Sequence, residues 1–351
     1  LRVIAIGLLL VYHIAIVFQP WGTMVGFMTN TQTWENLWIP MSMLNVWRIP
    51  LLFFISGMGV YFSMQNRNIW QLLKERSIRI LIPFIFGVFV IVPIYIYLLQ
   101  IYYNREKEYF PNPAHLWFLG NIFVYVLVLS PLLFYVKKNT RIIRIIHKVF
   151  SSPLGFLAVL AVFILEVLII KPPIYELYVM TWHGFFLGMI AFGLGFSFAM
   201  CGIDFWQMLI KWKWVWILVA FALYMYRVFQ PLMKVPDVQL VLESNLWIYG
   251  VLALGYQYLN KSSKALNYLS QAVYPIYIIH MIFIGLGCLL ILPLNITVYL
   301  KFVLIVLFVL AGCLVCYEFI IKRLTILRFL FGLSIEKKEK AIKQKVYSEV
   351  K

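Results

Sequence analysis

The chain has 351 residues, of which 64% are hydrophobic and only 12% charged, with a mean hydropathy of +0.91. Soluble domains are about half apolar and a quarter charged, so this chain cannot cover its own surface with polar groups and must have the bilayer as its solvent. A disordered chain, a secreted disulfide scaffold and a soluble nucleic-acid binder are excluded; the net charge of +17 reads as cytoplasmic loops, with no nucleic-acid partner.

Apolar runs of about 17–25 residues predict spanning helices. Ten occur, at roughly 2–18, 44–64, 80–101, 115–136, 153–170, 180–200, 214–231, 244–260, 268–290 and 297–320. None alternates as a barrel strand would, so the expected fold is all-α, a polytopic transmembrane bundle. With the N-terminus inside, 23 of the 30 basic residues fall in inner loops and tail. Seven fall outside: Arg48, Arg105, Lys107, Lys171, Arg227, Lys234 and Lys301. That asymmetry predicts both termini in the cytoplasm. One integral domain is expected over 1–321, followed by a basic tail over 322–351 lying on the inner leaflet. The chain opens at Leu1, inside an apolar segment, which reads as a trimmed start. Cys201, Cys288, Cys313 and Cys316 read as buried, inert thiols, with no metal site expected.

Ionisable residues inside spans are costly and mark function by default. In the first span Arg2 and His13 are eleven residues apart, which places them on one helix face about 16 Å apart along the axis. A snorkelling arginine with an interhelical histidine accounts for the pair. So does a site that holds an anionic ligand at one end and moves a proton at the other. The second span carries Trp47-Arg48-Ile49-Pro50, then Ser56, Gly57 and Gly59, small residues that permit close helix approach. Before the third span Arg76 and Arg79 share a face, either as a basic flank or as a fork for phosphates.

Later spans add further candidates. His115 and Trp117 open the fourth span, Glu166 lies in the fifth, and His183 opens the sixth. Each is an acceptor-side or supporting residue, or an ordinary interfacial one. The ninth span runs from Tyr274 through Pro275 to His280, with a kink expected at the proline. Trp21, Trp34 and Trp38 fit an aromatic belt, with sugar stacking as the other reading.

Together these residues resemble the acyltransferase-3 family of integral membrane O-acyltransferases. The likeness rests on Arg2 with His13, on Leu51–Gly57, on Arg76-x-x-Arg79 and on Tyr274–His280, in that order along residues 1–320. His115–Leu119 looks more like the branch containing glucan biosynthesis protein C. Arg48 after Trp47 departs mildly from the family pattern. The resemblance implies transfer of an acyl group, acetyl or succinyl, from cytoplasmic acyl-CoA to a hydroxyl of an extracytoplasmic glycan or similar acceptor. It implies His13, with Arg2, as the catalytic group, acting as general base or transient acyl carrier, and Arg76 and Arg79 as donor-binding residues. Acyl-CoA would be a co-substrate, with no permanently bound cofactor, and the bacterial inner membrane the expected location. The rival reading is a multi-span transporter or flippase of a glycan or lipid-linked substrate, though no repeat symmetry is visible between the two halves.

Overall fold

The structure, a computed structural model, describes residues 1–259 and 263–333; Lys261 and the tail lysines from Lys337 onward lie outside them. Among the described residues there is no strand, and each of the ten predicted runs overlies a helix. In chain order these are α1 (Arg2–Ile16), α2 (Trp38–Ser63), α3 (Ile69–Tyr102), α4 (Trp117–Lys138), α5 (Thr140–Phe150) and α6 (Gly155–Ile170). They continue with α7 (Trp182–Met200), α8 (Ile203–Lys211), α9 (Lys213–Val228), α10 (Asp237–Leu259), α11 (Lys264–Ile291), α12 (Val298–Ile321) and α13 (Thr325–Leu330).

Seven of these are long and apolar enough to cross a membrane, and two bent pairs bring the number to as many as nine. In the first pair α5 turns 98° into α6; in the second α8 turns 57° into α9. α1 is a shorter apolar helix. The chain is an integral membrane protein. Helix starts follow local chemistry: Asn68 and Gln71 form a reciprocal capping box before α3, and Asn139, Thr181, Ser263 and Thr297 cap α5, α7, α11 and α12.

The segment around α2 is the central post. The most apolar stretch of Glu35–Asn66 is 78% buried, against 22% for α12 at the periphery. Between lipid-solvated helices, association depends on close packing rather than on expelling water. The small residues of α2 serve that purpose: a Cβ on Gly57 would collide with the Phe192 carbonyl of α7, and one on Gly195 with the Phe54 carbonyl of α2. The two backbones touch there.

Prolines shape the same helices. Pro50 has no N–H to give to the Val46 carbonyl one turn earlier. That carbonyl instead accepts from the Tyr178 hydroxyl and from the Ser244 hydroxyl, each at 2.9 Å. α2 is thereby tied to the loop before α7 and to α10. In α3 a wide, π-type turn ends just before each of Pro83 and Pro93. The Phe89 carbonyl, which Pro93 cannot serve, accepts from the Tyr109 hydroxyl at 2.8 Å.

Three cations that the charge count put on the outer side, at the ends of predicted spans, are internal. Arg48, Arg227 and Lys301 are all buried. The other four of that group, Arg105, Lys107, Lys171 and Lys234, are exposed. The thiols of Cys201, Cys288 and Cys313 are buried and that of Cys316 is partly so, with no disulfide among them. Trp21 and Trp38 pack edge to face, as does Trp34 on Tyr299 and Phe302.

Candidate active site

α1 brings Arg2 to a cavity and His13 to a histidine cluster next to it. Arg2, Ile6 and Leu9 follow each other on one stripe of α1 and line a cavity of about 300 Å³. His13 is the next residue on that stripe. The same cavity is lined by Arg76 and Arg79 from α3, His115 before α4, and Gln271, Tyr274 and Tyr277 from α11. Three arginines therefore line one space together with one imidazole, that of His115. Arg79 also pairs with Glu75 at 3.1 Å, and Arg76 donates weakly to the Gly59 carbonyl at 3.4 Å. The Tyr274 hydroxyl is buried without a hydrogen-bond partner among the described residues.

Beyond the cavity three histidines meet. His13 Nδ1 lies 2.9 Å from His280 Nε2, with the two rings nearly parallel and their centroids 5.1 Å apart. His280 Nδ1 lies 2.7 Å from the Tyr277 carbonyl oxygen. The His115 ring stands edge-on to His280 at 5.0 Å, its Nε2 3.1 Å from the Ile278 carbonyl oxygen. The Tyr277 hydroxyl donates to the His115 carbonyl. His280 is sealed from solvent, whereas His13 is only partly buried.

These partners fix where the protons sit. A carbonyl oxygen only accepts, so His280 Nδ1 and His115 Nε2 carry hydrogens. In neutral His280 the remaining nitrogen, Nε2, is then a lone pair. His13 Nδ1 must donate to it, which leaves His13 Nε2 as the bare, basic nitrogen. The pair thus sets one tautomer of His13 and presents its base on the accessible ring.

The other candidates form a separate group. His183 Nδ1 lies 3.0 and 3.2 Å from the two carboxylate oxygens of Glu166, with both side chains buried. Tyr175 and Tyr178 pack on the His183 ring. His183 and Trp117 line a second, largely apolar cavity of about 960 Å³ together with Asn121 and Trp182. Arg2 stands with Arg76 and Arg79 rather than against His13. Sequence reading had only the order of these residues; the pairings of His13 with His280 and of Glu166 with His183 cross between helices.

One residue passed over in the sequence belongs beside this site. The Arg48 guanidinium lies over the Tyr12 ring, 3.7 Å from its centroid, and Tyr12 immediately precedes His13. The available signal was an arginine inside an apolar run, which the charge count had entered on the outer side.

The family model described as an acyltransferase domain, acyltransferase family 3, matches residues 1–318. No curated protein and no solved structure matches the chain.

Proposed function

The chain belongs to acyltransferase family 3 and is a membrane acyltransferase; from that premise we propose that it carries an acetyl or succinyl group from a cytoplasmic acyl-CoA to a hydroxyl of an extracytoplasmic glycan. The observation that carries this reading is the bare Nε2 of His13, oriented by His280, in a histidine cluster whose third member, His115, lines a cavity with Arg2, Arg76 and Arg79. The three arginines match the phosphates of coenzyme A in charge, and guanidinium forks suit phosphate oxygens. The expected membrane is the bacterial inner membrane, with the arginine end toward the cytoplasm.

The chemistry follows from the proton placement. A sugar hydroxyl is a poor nucleophile until a base takes its proton, and imidazole is matched to that task near neutral pH. His13 Nε2 accepts the hydroxyl proton as the alcohol oxygen bonds to the thioester carbon. When the C–S bond breaks, the same proton passes from His13 to the departing sulfur. The net change is one ester and one free thiol for one alcohol and one thioester. His280 holds the His13 ring throughout and stabilises its cationic form by accepting from Nδ1. The same nitrogen serves if His13 carries the acyl group transiently before the alcohol arrives. His183 and Trp117, which line the larger cavity, stand on the acceptor side, with Glu166 holding His183.

Incubation of the purified protein with isotopically labelled acetyl-CoA tests the reading. Label should appear in a hydroxyl-bearing acceptor, with release of free thiol. A protein that binds acetyl-CoA and never cleaves or transfers it contradicts the proposal. Movement of an unmodified glycan across a sealed vesicle would favour the transporter reading.

A further inference from the structure

Arg48 is 2% exposed in the middle of α2, yet no ion pair among the described residues includes it. Its Nε and Nη1 have no hydrogen-bond partner among the described residues. The two other buried cations in the bundle are provided for. Arg227 donates to both oxygens of Glu243 at 2.8 and 2.9 Å and to the Ser42 carbonyl. Lys301 donates to the Leu292 carbonyl at 2.6 Å. A desolvated guanidinium with no carboxylate partner, held by Tyr12 and leaving two nitrogens unpartnered, is costly to maintain. Such a group suits a site where a negative charge arrives during the working cycle.

Its position says which charge. The Tyr12 stack holds the guanidinium next to the residue preceding His13, near enough to act electrostatically on both His13 and His280. The residue after it, Ile49, lines the arginine-ringed cavity, as does Leu52 one turn on. The backbone is pinned by the two hydroxyls on the Val46 carbonyl. The phosphates of the donor already have Arg2, Arg76 and Arg79 in the cavity. What remains for the neighbourhood of His13 is the acyl carbon itself.

We propose that Arg48 is the oxyanion-binding catalytic residue of acyl transfer, an assignment that rests on the acyltransferase reading above. As the acceptor oxygen bonds to the thioester carbon, the carbonyl π pair moves onto the carbonyl oxygen, and the acceptor proton goes to His13 Nε2. The Arg48 N–H groups receive that oxyanion. When the pair returns to re-form the carbonyl, the C–S bond breaks and sulfur takes the proton from His13. A preformed donor in a dry site needs no reorganisation as the charge develops, and loss of one such donor lowers turnover by about 10²–10³-fold.

The test uses Arg48→Met and Arg48→Lys in the full chain, with octyl glucoside as hydroxyl acceptor and acetyl-CoA or succinyl-CoA as donor. Thermal melting, coenzyme A affinity and single-turnover rate are measured for each. Arg48→Met removes an unpaired buried charge while keeping bulk, so it should melt at or above the wild-type temperature and bind coenzyme A unchanged. Its single-turnover rate should fall about 100-fold or more with both donors, and Arg48→Lys, with charge but no fork, should recover part of that. A wild-type rate in Arg48→Met overturns the proposal. So does a rate loss that tracks a lowered melting temperature, which would make Arg48 a packing element. Loss confined to succinyl-CoA would make it a carboxylate pocket instead. If the wild-type protein turns over neither donor and His13→Ala behaves identically, the acyltransferase reading fails and this assignment falls with it.

Discussion

Two buried guanidiniums, Arg48 of α2 and Arg227 reaching α2 from α9, meet that helix within two turns of each other and live in opposite circumstances. Arg227 reaches the Ser42 carbonyl and grips Glu243 through two hydrogen bonds, with Glu176 3.6 Å away. Arg48 has an aromatic face and two unpartnered nitrogens. The first is a closed arrangement, in which charge is matched inside the resting protein. The second is open. In a low-dielectric interior an unmatched cation is disfavoured unless its counter-charge comes from elsewhere. The difference separates polar groups that hold the bundle together from polar groups held ready for a substrate. The histidines divide in the same way: His280 has both nitrogens engaged, while His13 keeps one free.

That division can be broken by mutation. Glu243→Ala should destabilise the protein by about 3–5 kcal/mol, because it strands Arg227 in the interior; denaturation of the detergent-solubilised protein reads this. A negligible change would mean that Arg227 is served by Glu176 and Ser42 alone. His280→Ala should leave coenzyme A binding intact and lower turnover about 10–100-fold, an effect of the size expected for groups that orient a ligating or basic histidine. If turnover is unchanged, His13 does not depend on His280 for its tautomer. Replacing Arg76 and Arg79 together by alanine should raise the apparent KM for acetyl-CoA about tenfold or more, one charge-assisted contact being worth about 1.5–3 kcal/mol, with a smaller change in kcat. A shift in acceptor dependence alone would remove these arginines from donor binding. The smallest effect is expected at His183: His183→Gln should alter acceptor dependence without changing the KM for acetyl-CoA. The reverse pattern would move the Glu166–His183 pair to the donor side.

How much of this was legible in the sequence depended on the range of the physics. The bilayer as solvent, the helical class and the apolar runs are properties of composition and local periodicity, and they needed no tertiary information. The Arg2–His13 stripe is likewise local, since eleven residues bring a helix back to the same face; in the structure Ile6 and Leu9 fill the steps between. Arg76 and Arg79 converge on the same cavity because both precede the wide turn before Pro83 or lie within it. What stayed hidden was pairing across helices. His13 and His280 are 267 residues apart, and nothing in either segment encodes the other. The role of Pro50 was half-visible: the missing N–H was predictable, but not that Tyr178 and Ser244 would serve the Val46 carbonyl. The burial of Arg48 stayed hidden for a related reason. A charge count assigns cations to one side of the membrane by position along the chain, whereas burial depends on which helices surround them. The same count did not foresee that Arg227 would be gripped from α10, or that α5 would turn sharply into α6.

The most direct test compares wild-type protein and His13→Ala for transfer from labelled acetyl-CoA to octyl glucoside, with coenzyme A affinity and melting temperature measured on the same samples. A base at the head of the reaction predicts that His13→Ala folds, binds coenzyme A as the wild type does, and transfers label at least about 10²–10⁴-fold more slowly. Undiminished transfer by a folded His13→Ala protein would contradict it.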